Sequence, residues 1–171
     1  MVRPVNALAK QFQLAYVTRD LEHATAMLAE EYGVQGFVVS RFELALTTPP
    51  GTASVKVGIA WVDDQQIELI QPIGGNVQIY LSALPEERSG IAFHHIAMWV
   101  AGDIEDWERC RSAISNQKIA LEGGREGMRF AYVDERANLG HYLEYVWMSE
   151  RFLQQHPLFL PPARLPGRSH D

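Results

Sequence analysis

Four polar side chains interrupt stretches that are otherwise apolar and strand-like. Glu68 lies within IELI (67–70) and Glu144 within LEYV (143–146), while Gln13 sits in FQLAYV (12–17) and His95 in FHHIAMWV (93–100). A carboxylate removed from water is costly unless it is paired or bound to a metal. Two carboxylates meeting in one cavity would also repel each other, and a divalent cation removes both penalties at once. A glutamate held in such a place can also exchange protons with a reacting group.

The elements that position these residues follow from periodicity and turn signals. Residues 11–17 read as a strand, and Asp20 caps a helix whose apolar face carries Leu21, Ala24, Leu28 and Tyr32, ending at Gly33. Residues 37–47 are β-rich, and 53–62 alternate with Val55, Val57, Ile59 and Trp61 on one face. Asp63-Asp64 turns the chain into a strand over 66–71, which Pro72, Gly74 and Gly75 are expected to end. A connector over 76–91 contains a short helix around 77–84. The pattern then restarts: a strand over 92–100, a helix capped by Asp103 with Ile104, Trp107, Cys110 and Ile114 at helical spacing, and strands over 118–122, 128–134 and 141–147. GGREG (123–127) and ERANLG (135–140) read as turns, and Gly123-Gly124 is no phosphate loop because no long helix follows.

The two halves therefore share one plan, strand, helix and three more strands, over residues 11–75 and 92–148. Gln13 falls on His95 at an offset of 82 residues, and Glu68 falls on Glu144 at an offset of 76. A duplicated unit that cannot close its own core implies two units packed together. The expected fold is α+β, two tandem βαβββ modules forming an open barrel around a shared cleft. Residues 1–10 precede the modules. A proline-rich tail, 149–171, follows them; its front is expected to pack on the body or on a partner subunit, and its end from Gly167 to be loose.

This plan, together with FHHIAMWV and RFAYVDERANLGHYLEYVW, resembles the vicinal oxygen chelate superfamily, whose members include glyoxalases, methylmalonyl-CoA epimerases, extradiol dioxygenases and bleomycin-resistance proteins. The resemblance is nearest to the glyoxalase I and epimerase branch and covers about residues 11–148. It implies one divalent metal held by Gln13, Glu68, His95 and Glu144, for which zinc, nickel, cobalt, manganese and magnesium all suit the donors. It implies a small-molecule substrate with adjacent oxygens that chelates the metal, and proton transfer through an enediolate or enolate. Glu144 is the first candidate base and Glu68 the second. The resemblance implies a lyase or isomerase; the alternative is a non-catalytic, bleomycin-resistance-like binder. Ring-cleaving dioxygenases resemble it less, since they use two histidines and one glutamate.

Strand alternation places Phe93 and Trp99 on the face of His95, and Tyr142 on that of Glu144, so these aromatics are candidates to line the substrate pocket, with core packing the competing use. His94 and His141 are expected to face away from the site, although a one-residue slip would turn His94 inward. His23, His156 and His170 read as solvated. Arg125, Arg129 and Arg136 cluster near one hairpin, where they could hold an anionic substrate tail or simply face water. The net charge of −6 argues against nucleic acid and anionic membrane surfaces as partners. No stretch reaches the roughly 20 apolar residues of a membrane span. With no signal-like apolar run in residues 1–10, cytoplasmic residence is the expectation. The single cysteine, Cys110, allows no intrachain disulfide and reads as a small buried hydrophobe, and a homodimer is compatible with the apolar tail.

Overall fold

The structure is a computed structural model and describes residues 9–161. The first unit runs β1 (Ala9–Thr18), α1 (Leu21–Tyr32), β2 (Val38–Thr48), β3 (Pro50–Val62) and β4 (Gln65–Gly75). A connector holding α2 (Gln78–Leu81) leads to β5 (Ile91–Val100), α3 (Ile104–Ala113), β6 (Ile119–Arg125), β7 (Met128–Asp134), α4 (Arg136–Leu139) and β8 (Tyr142–Met148). The tail adds α5 (Glu150–Gln155) and a 3-10 turn over Pro157–Phe159. The expected loose end from Gly167, with His170, lies outside the described residues.

Local chemistry explains the helix ends. The Asp20 carboxylate accepts from the His23 amide, and Gly33 closes α1 at φ 71. At α3 Asp103 and Asp106 cap each other reciprocally. Leu21, Ala24 and Leu28 pack on Leu69, whereas Tyr32, in the last turn of the helix, is exposed and lies outside that cluster. Trp107, Cys110 and Ile114 seal the second unit against Val100, Val133 and Tyr145.

The two βαβββ units form the α+β architecture expected. Around the barrel the strands run β1-β4-β3-β2-β6-β7-β8-β5, and β5 returns to β1. The open barrel expected from the sequence is closed, because both seams between the units are hydrogen-bonded. At one seam β1 and β5 pair antiparallel from Ala9↔Val100 to Thr18↔Ile91. At the other, β2 pairs with β6 through Ala45↔Gly124 and Leu46↔Gly123. Gly123 and Gly124 thus belong to β6, not to a turn. A Cβ at Gly123 would lie 2.3 Å from the Ala45 carbonyl oxygen.

Pro72, Gly74 and Gly75 do not end β4 either; the strand continues along β3 through Val55↔Pro72 and Ala53↔Gly75. Beyond Ile70 it has outrun β1, so the proline sits where β4 has one neighbour only. The barrel interior is one apolar cluster that includes Val57, Ile70, Phe130 and Val146. Phe152 and Phe159 of the tail join this cluster, and the Trp61 indole donates to the Leu158 carbonyl at 3.0 Å. The front of the tail therefore packs on the body.

Gly123→Ala is expected to cost about 1–3 kcal/mol, because the seam must open to admit the methyl group. Gly74→Ala, with open space around its Cβ position, should stay within about 0.5 kcal/mol of the parent. Thermal unfolding of the two variants checks the contrast.

Candidate functional site

Four contiguous strands, β4-β1-β5-β8, carry the site. Their register sets two rows across the inner face. One row is Glu68–Ala15–His95–Tyr142 and the other is Gln66–Gln13–Ala97–Glu144. Each row places a fully buried alanine methyl in the middle, leaving space between the polar groups. His95 Nε2 lies 3.3 Å from a Glu144 carboxylate oxygen and 3.7 Å from one of Glu68. Gln13 is buried and donates its amide nitrogen to Gln66 Oε1 at 2.5 Å, which leaves Gln13 Oε1 without a partner. The fold thus brings Glu68, His95 and Glu144 together, and it puts Gln13 in the same inner row as Glu144.

Two bulges aim these residues. On the β1/β5 seam Ala15 opposes His95 while Tyr16 opposes Phe93, so His94 is an extra residue. Gln11 opposes Met98 while Gln13 opposes Ala97, so Phe12 is extra too. Positions 12 and 94 differ by the same 82 residues as 13 and 95, so each unit bulges just before its polar residue. A bulge breaks strict alternation and re-aims side chains. Both His94 and His95 are consequently buried, at 2% and 0% exposure, which corrects the expectation that His94 faces away.

The histidine pair fixes its own tautomers. His94 Nε2 lies 3.1 Å from the Ile79 carbonyl of α2, which can only accept, so this nitrogen carries the hydrogen. A neutral His94 then accepts at Nδ1 from His95 Nδ1, 2.9 Å away. His95 Nε2 is left as a bare lone pair, buried, with no hydrogen-bond partner, and turned towards two carboxylates. Burial keeps both rings neutral and pulls their pKa values down to about 3, with the neighbouring histidine adding to the effect on His94 and His141 to that on His95.

The carboxylates respond in the opposite direction. Burial pushes Glu144 up to about 8, opposed in part by a hydrogen bond from Tyr132. Burial, and then the charge of Glu144, raise Glu68 well above the ordinary range. Donors at about 2.1 Å from an octahedral cation sit about 3.0 Å apart when adjacent. The bare Nε2, the unpartnered Gln13 oxygen and the two crowded carboxyls are donor types that a divalent metal takes, while among the described residues no three His, Cys, Asp or Glu side chains already stand at coordinating spacing. Among these residues, two orphaned buried acceptors and two destabilised anions would each be relieved by the same cation.

The site forms the polar end of a small cavity whose other walls are apolar. Alternation grades its walls: Tyr132, Phe130 and Met128 share one strand face, and Glu144, Val146 and Met148 another, all lining the cavity. Tyr80 and Tyr132 also line it, hydroxyl to hydroxyl at 3.2 Å, and burial raises both phenols. Sequence reasoning missed both. Tyr132 could have been found by pairing β7 with β8, which sets it opposite Glu144. Tyr80 lies in the connector, where no repeat partner marks it.

The three aromatic candidates fall elsewhere. Phe93 is exposed and edges against Tyr16 and His141. Trp99 packs edge-on against Phe12. Tyr142 is buried under the His94 ring, with the Arg136 guanidinium 4.7 Å from its own ring centre. The hairpin arginines are committed too. Arg136 forks onto Asp134, Arg129 donates to the Arg125 and Met128 carbonyls, and Arg125 covers the Phe152 ring. His141 bonds the Tyr142 carbonyl near the turn.

Residues 12–132 match the model of the glyoxalase/bleomycin resistance protein/dioxygenase superfamily, and the chain belongs to that superfamily. A methylmalonyl-CoA epimerase solved with methylmalonyl-CoA and NH4+ is similar in fold, with a TM-score of 0.56 and 18% identity over 84% of this chain and 96% of that one. The Mycobacterium tuberculosis methylmalonyl-CoA epimerase gives 0.55 and 14% over 86% and 93%. A variant of 4-hydroxymandelate synthase from Streptomyces coelicolor gives 0.51 and 11% over 82% of this chain and 49% of that one. A search of curated proteins finds no match. At such identities the likeness shows the fold, which hosts more than one chemistry. Among the described residues, no helix is long and apolar enough to cross a membrane.

The raised carboxyls make a prediction for the metal-free protein. Below about the ordinary value of 4.5 Glu144 is protonated folded or unfolded, so its burial is free of the charge penalty. As pH rises through the folded value near 8, the unfolded chain has already ionised and that stability is lost. Glu68, raised in the same direction, adds to the loss. Metal-free Glu68→Gln/Glu144→Gln should therefore match the parent near pH 4 and exceed its Tm by about 5 °C or more at pH 8. The depressed histidines act on both proteins alike and cancel in the comparison, which differential scanning calorimetry reads.

Proposed function

We propose that this protein is a metal-dependent lyase or isomerase that moves a proton at the carbon beside a chelated carbonyl. The observation that carries this reading is the bare, buried Nε2 of His95 facing two crowded glutamates at the floor of a cavity. Gln13, Glu68, His95 and Glu144 would hold one divalent metal, of the zinc, nickel, cobalt, manganese or magnesium kind. When bound, the metal supplies Lewis-acid polarisation of adjacent substrate oxygens. His94 is a positioning residue: it holds His95 in the tautomer whose free nitrogen faces the site.

Glu144 is the general base. To take the proton it must swing partly off the metal, which the flexible glutamate side chain can do, and its buried setting then favours holding the proton until it is returned. Tyr132, paired across the β7/β8 ladder with Glu144 and hydrogen-bonded to Tyr80, stands beside that carboxylate. Glu68 is the second candidate for the same task, on the opposite side of the duplicated pattern. The apolar walls exclude water from the exchanging proton. The methylmalonyl-CoA epimerases support the reaction class by likeness of fold, and a small molecule with adjacent oxygens is the substrate class.

Two measurements test the proposal. The purified protein should bind stoichiometric zinc, and in deuterated buffer it should exchange α-protons of hydroxy ketones or acyl esters. Glu144→Gln should reduce exchange by about 10²–10⁴-fold with the fold intact by circular dichroism. No metal uptake from any of the five cations defeats the reading, and so does ligand binding without exchange across the substrate panel. In the second measurement, His94→Leu should weaken zinc binding by about 10–100-fold. His94→Gln, whose amide can accept from His95 and donate to Ile79, should recover most of that loss in a chelator-competition assay.

A further inference from the structure

Beyond its polar end the cavity carries no positive charge among the residues that line it. Five polar side chains, Gln13, Glu68, Tyr80, Tyr132 and Glu144, gather at the floor, and the remaining lining residues are apolar. The nearby arginines Arg41, Arg125 and Arg129 are exposed at the surface and none of them lines the cavity. A substrate carboxylate or phosphate buried here would be without a countercharge.

The far end of the cavity is filled by the tail. Phe159 lines the cavity and is itself buried, with ring centres 6.0 Å from Phe42 and 5.9 Å from Phe152. Phe152 in turn lies against Gly127, beside Met128, which puts the tail at the end of β7 opposite Tyr132. The Trp61 indole ties the adjacent Leu158 carbonyl to β3. Length, as well as polarity, is thus limited by this part of the chain, which lies outside the duplicated modules.

We propose that the cavity selects an uncharged, hydrophobic substrate of limited length, whose adjacent oxygens reach the floor at Glu68 and Glu144 and whose apolar end stops against Phe159. The inference rests on the metal-site reading above and adds what the rest of the substrate must be. It departs from thioesters with long charged handles, since none of the residues that line the cavity supplies a countercharge.

Bidentate hydroxamates serve as probes, titrated calorimetrically into the zinc-loaded full-length protein. Affinity should rise about fourfold per methylene along a linear alkanohydroxamate series and then stop rising at one chain length. Benzohydroxamate should bind at least about tenfold more tightly than its 4-carboxylate, and methylmalonyl-CoA should not bind. Phe159→Ala should move the length limit to longer chains, and Phe159→Leu should move it less; the milder variant serves if the larger cavity unfolds the protein.

Equal affinity for the 4-carboxylate, tight binding of methylmalonyl-CoA, or a length limit unmoved by either variant overturns the inference while zinc binding stands. Absence of zinc binding instead defeats the metal reading. The neutral and charged aromatic pair, titrated into metal-free protein, then reads the polarity of the cavity alone, and no preference for the neutral member overturns the inference.

Discussion

Two carboxyl groups and a neutral imidazole share a space from which water is largely excluded, and their charges cannot all be accommodated by the protein itself. Glu68 and Glu144 are each only 12% exposed, and His95 is fully buried. Protonation relieves the strain in the metal-free chain at a cost that grows with pH, and a divalent cation held there would relieve it wherever the glutamates ionise. The rest of the barrel serves to hold these groups together against that repulsion. Eight strands close completely, two helices cover the outside, and both seams between the units are hydrogen-bonded.

Duplication supplies the symmetry of the site, and the bulges supply its asymmetry of chemistry. The first strand of each unit gives one extra residue at an equivalent position. In the first unit that residue is Phe12, which lines the cavity. In the second it is His94, which bonds both His95 and the connector helix. One structural device therefore builds a hydrophobic wall on one side and fixes a tautomer on the other. The connector and the tail, which have no counterpart in the repeat, contribute Tyr80 and Phe159 to the same cavity.

Membership of the superfamily establishes the scaffold, and this chain's own side chains give the cavity its local chemistry. A cavity that grades from Glu144 through Val146 to Met148, and from Tyr132 through Phe130 to Met128, separates polar work from apolar recognition along each strand. The two-residue period of a strand makes this possible, since each inner face can change character in steps of about 7 Å.

The amino-acid order alone determined the two βαβββ units, the caps at Asp20 and Asp103, and the equivalence of Gln13 with His95 and of Glu68 with Glu144. These are local or repeated features, and hydrophobic period and capping chemistry encode them within a few residues. Only the tertiary structure decided that the barrel closes, that Gly123 and Gly124 are strand residues under β2, that β4 continues through Pro72, and that His94 turns inward. Each depends on a partner strand far away in the chain, so no window of sequence contains the cause. The same reason hid Tyr80, Tyr132 and Phe159, and it shifted Phe93, since strict alternation assigns faces correctly until a bulge such as the one at His94 intervenes, and only the opposing strand shows where that happens.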